Sequence, residues 1–356
     1  MSWLDRYDDS LNLVSVLLWP MSLLFAVVVR VRRQLYLQNF LKSESLKVPV
    51  VVVGNINMGG TGKTPLVGFL VKSLREKGYS PGVISRGYGG HVTEWPCHVT
   101  ADSDPDEVGD EPVLLAQRCQ CPIVVGPDRV AAAQALLKAY DCNIIVSDDG
   151  LQHYRLQRDL EIAVIDGFRR FGNAACLPAG PLREPVSRLH TVDFVVGNGA
   201  ARGMESLMSL HGDVAVNLSD PGVSSALSGF SQSTVHAVAG IGDPGRFFDH
   251  LRRASLRLIE HPFPDHYSFR AEDLKFQQDF PVLMTEKDAV KCRKFKVDNA
   301  WYVPVEARLE PGFEERFFKR LMPIALSKGI QIENRASNSD SRRVSKTADS
   351  PETRVH

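Results

Sequence analysis

An excess of charge of either sign is missing from this sequence. Among its 356 residues, 42 are Lys or Arg and 42 are Asp or Glu, so the formal net charge is zero. A protein that neutralises many phosphates along a duplex usually carries a basic surplus. No nucleic acid is therefore expected as a partner.

Cysteine is also scarce. The chain has six cysteines, and one residue separates Cys119 from Cys121, whereas paired zinc ligands are typically separated by two or more. Such sparse and irregular use of cysteine is typical of reduced proteins of the cytosol. We expect a protein of that kind, with no metal held by thiolates.

One run near the N-terminus lacks charged residues altogether. Residues 11–29, LNLVSVLLWPMSLLFAVVV, are followed by Arg30, Arg32 and Arg33. The run is long enough to cross a bilayer, and the acidic residues before it are unlike a cleaved secretory signal. Three arrangements stay open: a span, a helix lying in one leaflet, and a buried core helix. We predict a membrane-associated helix over residues 1–35, with the following domain on the cytoplasmic side.

The rest of the chain alternates between β-branched hydrophobic runs and helical patterns. Runs such as VPVVVVG, PIVVG and EIAVIDG are almost wholly apolar, as in parallel strands that helices cover on both faces. The predicted fold class is α/β, with a doubly wound domain and a second, smaller α/β domain. The predicted boundaries are 36–205 for the first domain, 206–328 for the second, and 329–356 for a polar tail expected to be disordered.

A glycine-rich loop follows the first strand, in VVVVGNINMGGTGKTP. Glycines let backbone N–H groups face an anion, Lys63 reaches the β- and γ-phosphates, and Thr64 binds Mg²⁺. A glycine-rich turn without chemistry is the alternative. The strict pattern has glycine at the place of Asn57, and Asn is the non-glycine residue that best tolerates positive φ. The loop predicts a P-loop NTPase-type domain that binds ATP and Mg²⁺ through Asn57, Met58, Gly59, Gly60, Thr61, Gly62, Lys63 and Thr64.

Two acidic pairs supply further candidates. Asp148 and Asp149 end the run NIIVSDDG, where a Walker-B carboxylate would meet the Mg²⁺ held by Thr64. Asp110 and Glu111 of GDEP open a helix. A strand-ending turn and simple helix caps are the plainer interpretations of these pairs. The candidate metal ligands are Thr64, Asp148, Asp149 and Glu111, and the sequence leaves open which of the adjacent aspartates binds the metal.

Taken together, the motifs resemble a known family. GNINMGGTGKTP, SRGYGG, GDEP, DDGLQH, LPAGPLREP, FPDHYSF and TEKDAVK occur in the order and rough spacing of the tetraacyldisaccharide 4'-kinases, over roughly residues 10–325. The literal GFGN of that family is absent, since this chain reads GFRRFGN. The resemblance implies a kinase that moves the γ-phosphate of ATP to the 4'-hydroxyl of a tetraacyldisaccharide 1-phosphate, which forms lipid IVA in lipid A biosynthesis. It also implies contact with inner-membrane lipid at the cytoplasmic face.

The resemblance also implies roles for single residues. A sugar hydroxyl is a poor nucleophile, so a positioned base should accept its proton. Asp110 is the candidate base, and the family suggests that His266 pairs with it, although a plain loop histidine is the alternative. The catalytic candidates are Asp110, His266 and Lys63. The candidates for substrate and nucleotide handling are Arg86, Tyr88, Arg183 and Glu184, with surface ion pairs as the alternative for the arginines, and Glu286, Lys287 and Asp288 of TEKD are expected near the adenine.

A second class of protein shares the glycine-rich loop. Membrane-tethered ATPase switches of the partitioning or targeting type typically carry a lysine where this chain has Met58, and methionine cannot reach a partner's γ-phosphate. A scaffold that binds nucleotide without turnover would not need Asp110, Asp148 and Asp149 together. The sequence predicts neither the oligomeric state nor the acyl-chain preference.

Overall fold

The computed structural model describes residues 12–330. The tail predicted to be disordered falls outside these residues from position 331 onward, and so do residues 1–11 of the predicted membrane-associated segment. The α-helices are α1 (Leu13–Leu37), α2 (Lys63–Glu76), α3 (Pro105–Val108), α4 (Asp110–Cys119), α5 (Arg129–Ala139), α6 (Pro244–Arg253), α7 (Glu286–Cys292) and α8 (Phe313–Ser327).

The strands form two sheets. The strands are β1 (Val50–Gly54), β2 (Pro81–Ser85), β3 (Cys97–Val99), β4 (Ile123–Val125), β5 (Ile144–Asp148), β6 (Leu160–Asp166), β7 (Phe194–Asn198), β8 (Ser206–His211), β9 (Val214–Asn217), β10 (Ser224–Ala226), β11 (Thr234–Ala239), β12 (Arg257–Pro262), β13 (Val282–Thr285), β14 (Ala300–Val303) and β15 (Glu306–Leu309).

The larger sheet has nine strands in the order β15-β8-β7-β6-β1-β5-β2-β4-β3. The strands from β8 to β4 in that order run parallel, and β15 and β3 pair antiparallel at the two edges. Every residue of β1 is buried because helices cover both faces. Val51 and Val53 pack in one core with α2 and α8, and Val50 and Val52 pack in another with α5. The predicted doubly wound α/β domain is confirmed.

The smaller sheet has the order β10-β9-β14-β13-β11-β12. The chain does not divide between the sheets at residue 205, because β8 pairs with β7 and β15 pairs with β8 in the larger sheet. Helix α8 follows β15, and its Phe313 and Phe317 pack in the core of the larger sheet beside Phe194. The segment predicted as a separate second domain therefore contributes two strands and a helix to the first.

One face of helix α1 packs against the rest of the chain. Its buried residues Ser15, Ser22 and Ala26 lie at helical spacing on one face, and Ser22 Oγ donates a 2.6 Å hydrogen bond to the carbonyl of Cys176. Large apolar side chains on the rest of the helix are exposed, as for Leu17 (70%). Within residues 12–330, α1 is the one helix long and apolar enough to cross a membrane, which by itself is weak evidence of membrane association.

Candidate active site

The glycine-rich loop connects β1 to α2 at the carboxyl edge of the larger sheet. Gly59 and Gly62 have φ values of 92° and 95°, which favour glycine. A Cβ at Gly59 or Gly60 would meet no atom within 4 Å, so the loop borders open space there. Asn198 of β7 also holds the loop, because its Nδ2 donates a 3.1 Å hydrogen bond to the carbonyl of Thr61. This geometry suits a bound anion, as the sequence predicts.

Asn57 fits the loop for a different reason from the one expected. Its φ is not positive, so tolerance of the left-handed region is not required. Its Nδ2 instead donates a 2.8 Å hydrogen bond to the carbonyl of Arg170. The side chain ties the glycine-rich loop to the segment after β6. The neighbouring Met58 is 52% exposed and its backbone N–H donates to the carbonyl of Pro181 at 2.8 Å.

Asp149 lies between two cations. Lys63 Nζ is 3.4 Å from Asp149 Oδ1, and the Arg183 guanidinium donates to both carboxylate oxygens at 3.0 Å. Burial favours the neutral acid, but the charges of Lys63 and Arg183 outweigh it and lower the pKa of Asp149 to about 2. The structure thus brings together three predicted site residues from separate motifs.

Asp148 has the opposite electrostatic environment. It is 1% exposed, and burial together with the nearby charge of Glu111 raises its pKa to about 7. Its Oδ2 accepts a hydrogen bond from Ser85 at 3.3 Å, whereas its Oδ1 is buried with no hydrogen-bond partner. A divalent cation bound beside Asp148 would satisfy this oxygen, so the residues fit Mg²⁺. In the described part of the chain, His, Cys, Asp and Glu side chains form no metal-binding group of three or more.

Asp110, the first residue of α4, and His266, in the loop after β12, are in contact. His266 Nδ1 lies 3.2 Å from Asp110 Oδ2, and the Tyr88 ring lies against the imidazole with 5.4 Å between ring centroids. Burial would raise the pKa of Asp110, but the hydrogen bond from His266 and the charge of Lys287 lower it. The hydrogen bond to Asp110 in turn raises the pKa of His266 against the effect of burial.

Three further residues of the predicted set have contrasting environments. Arg86 and Tyr88 are exposed where SRGYGG leaves β2. Glu184 is 1% exposed, and its carboxylate accepts hydrogen bonds from Tyr154 at 2.6 Å and from Gln152 at 2.7 Å. Arg188 completes this enclosed network at 3.2 Å. The expectation of direct substrate contact by Glu184 is thus at odds with its burial, since internal partners occupy both carboxylate oxygens.

The expected adenine contact of the TEKD motif does not match its partners in the structure. Glu286 pairs with Arg118 of α4, and Asp288 Oδ2 accepts a 2.8 Å hydrogen bond from the backbone N–H of Gly240. Lys287 Nζ lies 3.1 Å from Glu111 Oε1 and 3.5 Å from His266 Nε2. Through Lys287, the motif therefore lies beside the Asp110–His266 pair.

Sequence reasoning also missed Arg129. It follows the helix cap Asp128 and is 2% exposed, with its Nε buried and lacking a hydrogen-bond partner. Its guanidinium donates to the carbonyl of Gly126 at 2.6 Å and to that of Asp148 at 3.4 Å. A buried arginine behind the acidic strand end adds positive charge to the site, and no pattern in the sequence distinguishes it from surface arginines.

A parallel sheet with a glycine-rich loop at its carboxyl edge, a lysine opening the next helix and acidic residues ending a neighbouring strand defines the class of P-loop nucleotide-binding proteins. The family model described as tetraacyldisaccharide-1-P 4'-kinase matches residues 14–322. The chain belongs to this family, which confirms the resemblance of its motifs and disfavours the ATPase switch.

Individual relatives agree with the family model. The chain is 55% identical to the tetraacyldisaccharide 4'-kinase of Nitrosococcus oceani over 89% of this chain and 93% of the relative. It is 53% identical to that of Alkalilimnicola ehrlichii over 83% of this chain and 89% of the relative. The crystal structure of LpxK from Aquifex aeolicus in complex with ATP has a TM-score of 0.73 and 26% identity, and the match covers 86% of this chain and 99% of that one.

Proposed function

We propose that this chain is an ATP-dependent tetraacyldisaccharide 4'-kinase that transfers the γ-phosphate to the 4'-hydroxyl of a tetraacyldisaccharide 1-phosphate and forms lipid IVA. The observation that carries the proposal is the pair of Asp110 and His266, 3.2 Å apart, with the next residue, Glu111, near enough to Asp148 for its charge to raise the pKa of that carboxyl. Nucleotide binding alone has no use for a carboxylate–imidazole pair. Transfer to a hydroxyl needs one, because the hydroxyl must lose a proton.

The glycine-rich loop supplies the ATP site in this proposal. Backbone N–H groups around Gly59 and Gly60 border open space and sit at the start of α2, where the helix dipole favours phosphate. Lys63 neutralises charge on the β- and γ-phosphates. The relative from Aquifex aeolicus whose structure contains ATP supports this assignment.

Mg²⁺ is the second component. Asp148 and Thr64 would hold it, with Asp149 and Glu111 as the neighbouring carboxylates, and the unpartnered Oδ1 of Asp148 supports the choice between the two aspartates. A bound Mg²⁺ supplies positive charge that offsets the negative charge on the phosphate oxygens. Asp149 already balances Lys63 and Arg183, so we assign it to orienting these cations.

Asp110 acts as the base, and His266 orients it. The low pKa of Asp110 keeps its carboxylate ionised at neutral pH, ready to accept the proton of the sugar hydroxyl. Tyr88 contacts His266 and Arg183 contacts Asp149, and together with the exposed Arg86 they are the proposed contacts for the substrate and the nucleotide.

The lipid substrate explains helix α1. Because Ser15, Ser22 and Ala26 attach one face of α1 to the folded chain, the helix is not free to cross a bilayer on its own. We assign it to one leaflet at the cytoplasmic face of the inner membrane, with the exposed apolar side chains in lipid and the basic cluster from Arg30 near anionic headgroups. The oligomeric state is left open.

A labelling experiment tests the function. The purified full chain is incubated with γ-labelled ATP and a tetraacyldisaccharide 1-phosphate in detergent micelles, with the Asp110→Asn variant as control. We expect label in the lipid with the natural chain and a large loss with the variant. Release of label only as free phosphate would instead favour an ATPase switch.

A further inference from the structure

A single ammonium group contacts both members of the Asp110–His266 pair and two neighbouring carboxylates. Lys287 Nζ lies 3.5 Å from His266 Nε2 and 3.9 Å from Asp110 Oδ2. It is also 3.1 Å from Glu111 Oε1 and 3.4 Å from Asp265 Oδ1. The lysine side chain is only 16% exposed, so these four groups, and not water, are its main partners.

The donors and acceptors fix the state of the imidazole. An ammonium group has three donors and no acceptor, so the neutral form of His266 must turn the lone pair of Nε2 toward it. The hydrogen bond to Asp110 raises the pKa of His266, and the charge of Lys287 opposes this rise. Asp265 Oδ2 lies 3.8 Å from His266 Nε2, beyond hydrogen-bond distance. A neutral imidazole with an accepting Nε2 carries its proton on Nδ1. That proton points at Asp110 Oδ2, 3.2 Å away, and the carboxylate accepts it. In the neutral imidazole, the contact with Lys287 therefore favours the tautomer in which Nδ1 donates to Asp110.

The local backbone does not orient the imidazole by itself. His266 has a φ of 57°, a conformation that few non-glycine residues adopt, and lies in the loop after β12 with 29% of its side chain exposed. Its ring is held by contacts from other elements, namely Tyr88, Asp110 and Lys287. Removing one of the three leaves the ring freer to rotate or to change tautomer.

Lys287 reaches this position because α7 is fastened to α4. Glu286, directly before it, forms an ion pair with Arg118 near the end of α4, while Lys287 itself reaches Glu111 at the beginning of α4. The N-cap Thr285 and Asp288 close the first turn of α7 by a 2.6 Å hydrogen bond. The Lys287 ammonium group is thus held in place by a helix that is fixed to α4.

We propose that Lys287 is a positioning residue for phosphate transfer: it holds His266 in the tautomer that donates from Nδ1 to Asp110 and thereby aims the carboxylate at the acceptor hydroxyl. The inference rests on the proposed function of the Asp110–His266 pair. It assigns Lys287 of the TEKD motif to orienting the general base Asp110 through His266, in place of contact with the adenine.

A double-mutant cycle tests the proposal with the full chain. We expect Lys287→Met to lower kcat by roughly 10- to 100-fold while KM for ATP changes less than about threefold, because the lysine acts on the base and not on nucleotide binding. Lys287→Arg, which keeps donors at the same place, should recover part of the rate. The double variant Lys287→Met, His266→Ala should be no slower than His266→Ala alone, since the lysine acts through the histidine.

Lys294→Met is the matched control. Lys294 follows α7 and pairs with Asp106 of α3 at 2.5 Å. It therefore connects the region of α7 to the region around the start of α4, as Lys287 does, but it does not contact the Asp110–His266 pair. Its removal should leave kcat within about twofold. Additive losses in the double variant, or a loss in Lys294→Met equal to that in Lys287→Met, would overturn the proposal.

A spectroscopic measurement keeps the proposal testable without activity. At a pH above the pKa of His266, the ¹⁵N shifts of its imidazole, assigned by their disappearance in His266→Ala, should report a protonated Nδ1 and an unprotonated Nε2 in the natural chain. The opposite tautomer would refute the role of Lys287 even if the enzyme phosphorylates lipid. Absence of lipid phosphorylation by the natural chain would refute the proposed function instead, and the two failures are distinguishable.

Discussion

His266 Nδ1 lies 3.2 Å from Asp110 Oδ2 although 156 residues separate the two in the chain. Asp110 opens α4 after Gly109, whose φ of 94° suits glycine, and His266 follows a strand of the smaller sheet. The contact therefore depends on how the two sheets are placed against each other. The Asp110–His266 pair is therefore complete only when both parts of the chain are folded.

The first prediction concerns this pair. Asp110→Ala should lower kcat by a factor on the order of 10²–10⁴ with little change in KM for ATP, as expected for loss of a general base. His266→Ala should fall in the same class, and the double variant should be no worse than Asp110→Ala. Steady-state kinetics on micellar substrate measure this. A change in KM for ATP larger than that in kcat would make Asp110 a nucleotide or metal ligand.

The second prediction concerns the nucleotide loop. Lys63→Ala should abolish phosphate transfer, since Lys63 is the side chain of the loop that can neutralise the β- and γ-phosphates. Thr64→Ala should raise the Mg²⁺ concentration needed for half-maximal rate. Lys72→Ala is the control, because Lys72 lies exposed on the same helix, and it should keep near-normal activity. Near-normal transfer by Lys63→Ala would contradict the site.

The third prediction is a pH dependence of stability. The pKa of Asp149 is lowered to about 2 from its ordinary value of 3.8, so its ionised form stabilises the fold by about 2 kcal/mol above the unfolded pKa. That contribution is complete at neutral pH, falls to roughly half near pH 3, and is lost as the pH drops through the folded pKa. Urea unfolding should show Asp149→Asn less stable than the natural chain by about 2 kcal/mol at pH 7, with the gap narrowing in acid. An equal gap at pH 7 and pH 3 would argue against this origin.

The fourth prediction concerns the exposed apolar face of α1. Leu17 and Leu24 are 70% and 66% exposed and lie on one face of the helix, away from the docked Ser22. Each contributes roughly 2 kcal/mol when buried in lipid, so Leu17→Ser with Leu24→Ser should weaken partitioning onto anionic vesicles by roughly two orders of magnitude or more. Activity in micelles should fall much less than activity on bilayer substrate.

Point variants suit this test better than deletion of residues 1–33, because deletion would also uncover the surface that Ser22 and Ala26 cover. Leu326→Ser is the control, since Leu326 is an equally exposed leucine (66%) on α8. Unchanged vesicle binding of the double α1 variant would mean that another surface reaches the membrane.

Much of the nucleotide site could be predicted from the sequence because its parts are local. The glycine-rich loop, Lys63 and Thr64 are contiguous, and their geometry follows from a strand, a tight turn and a helix start. The apolar run of residues 11–29 likewise predicts a helix of membrane length from composition alone. Near-continuous hydrophobic runs predict the parallel sheet, since both of its faces are covered.

Other features depend on contacts between distant segments, which no local pattern encodes. Strands β8 and β15 pair in the larger sheet, and the apolar face of α8 packs in its core, although all three come from the segment predicted as a second domain. Glu184 sits beside the conspicuous Arg183, yet only the packing of Tyr154 and Gln152 around it shows that it is enclosed.

The sequence by itself determined the P-loop class, the parallel α/β sheet and the family, because short-range geometry and motif order suffice for them. Tertiary structure decided which nitrogen of His266 faces Asp110, which aspartate is paired with cations and which has an unpartnered oxygen, and that Lys287 lies beside the Asp110–His266 pair. These are properties of electrostatic environment and orientation. They vary steeply over a few ångströms, and only the folded arrangement of separate elements sets distances on that scale.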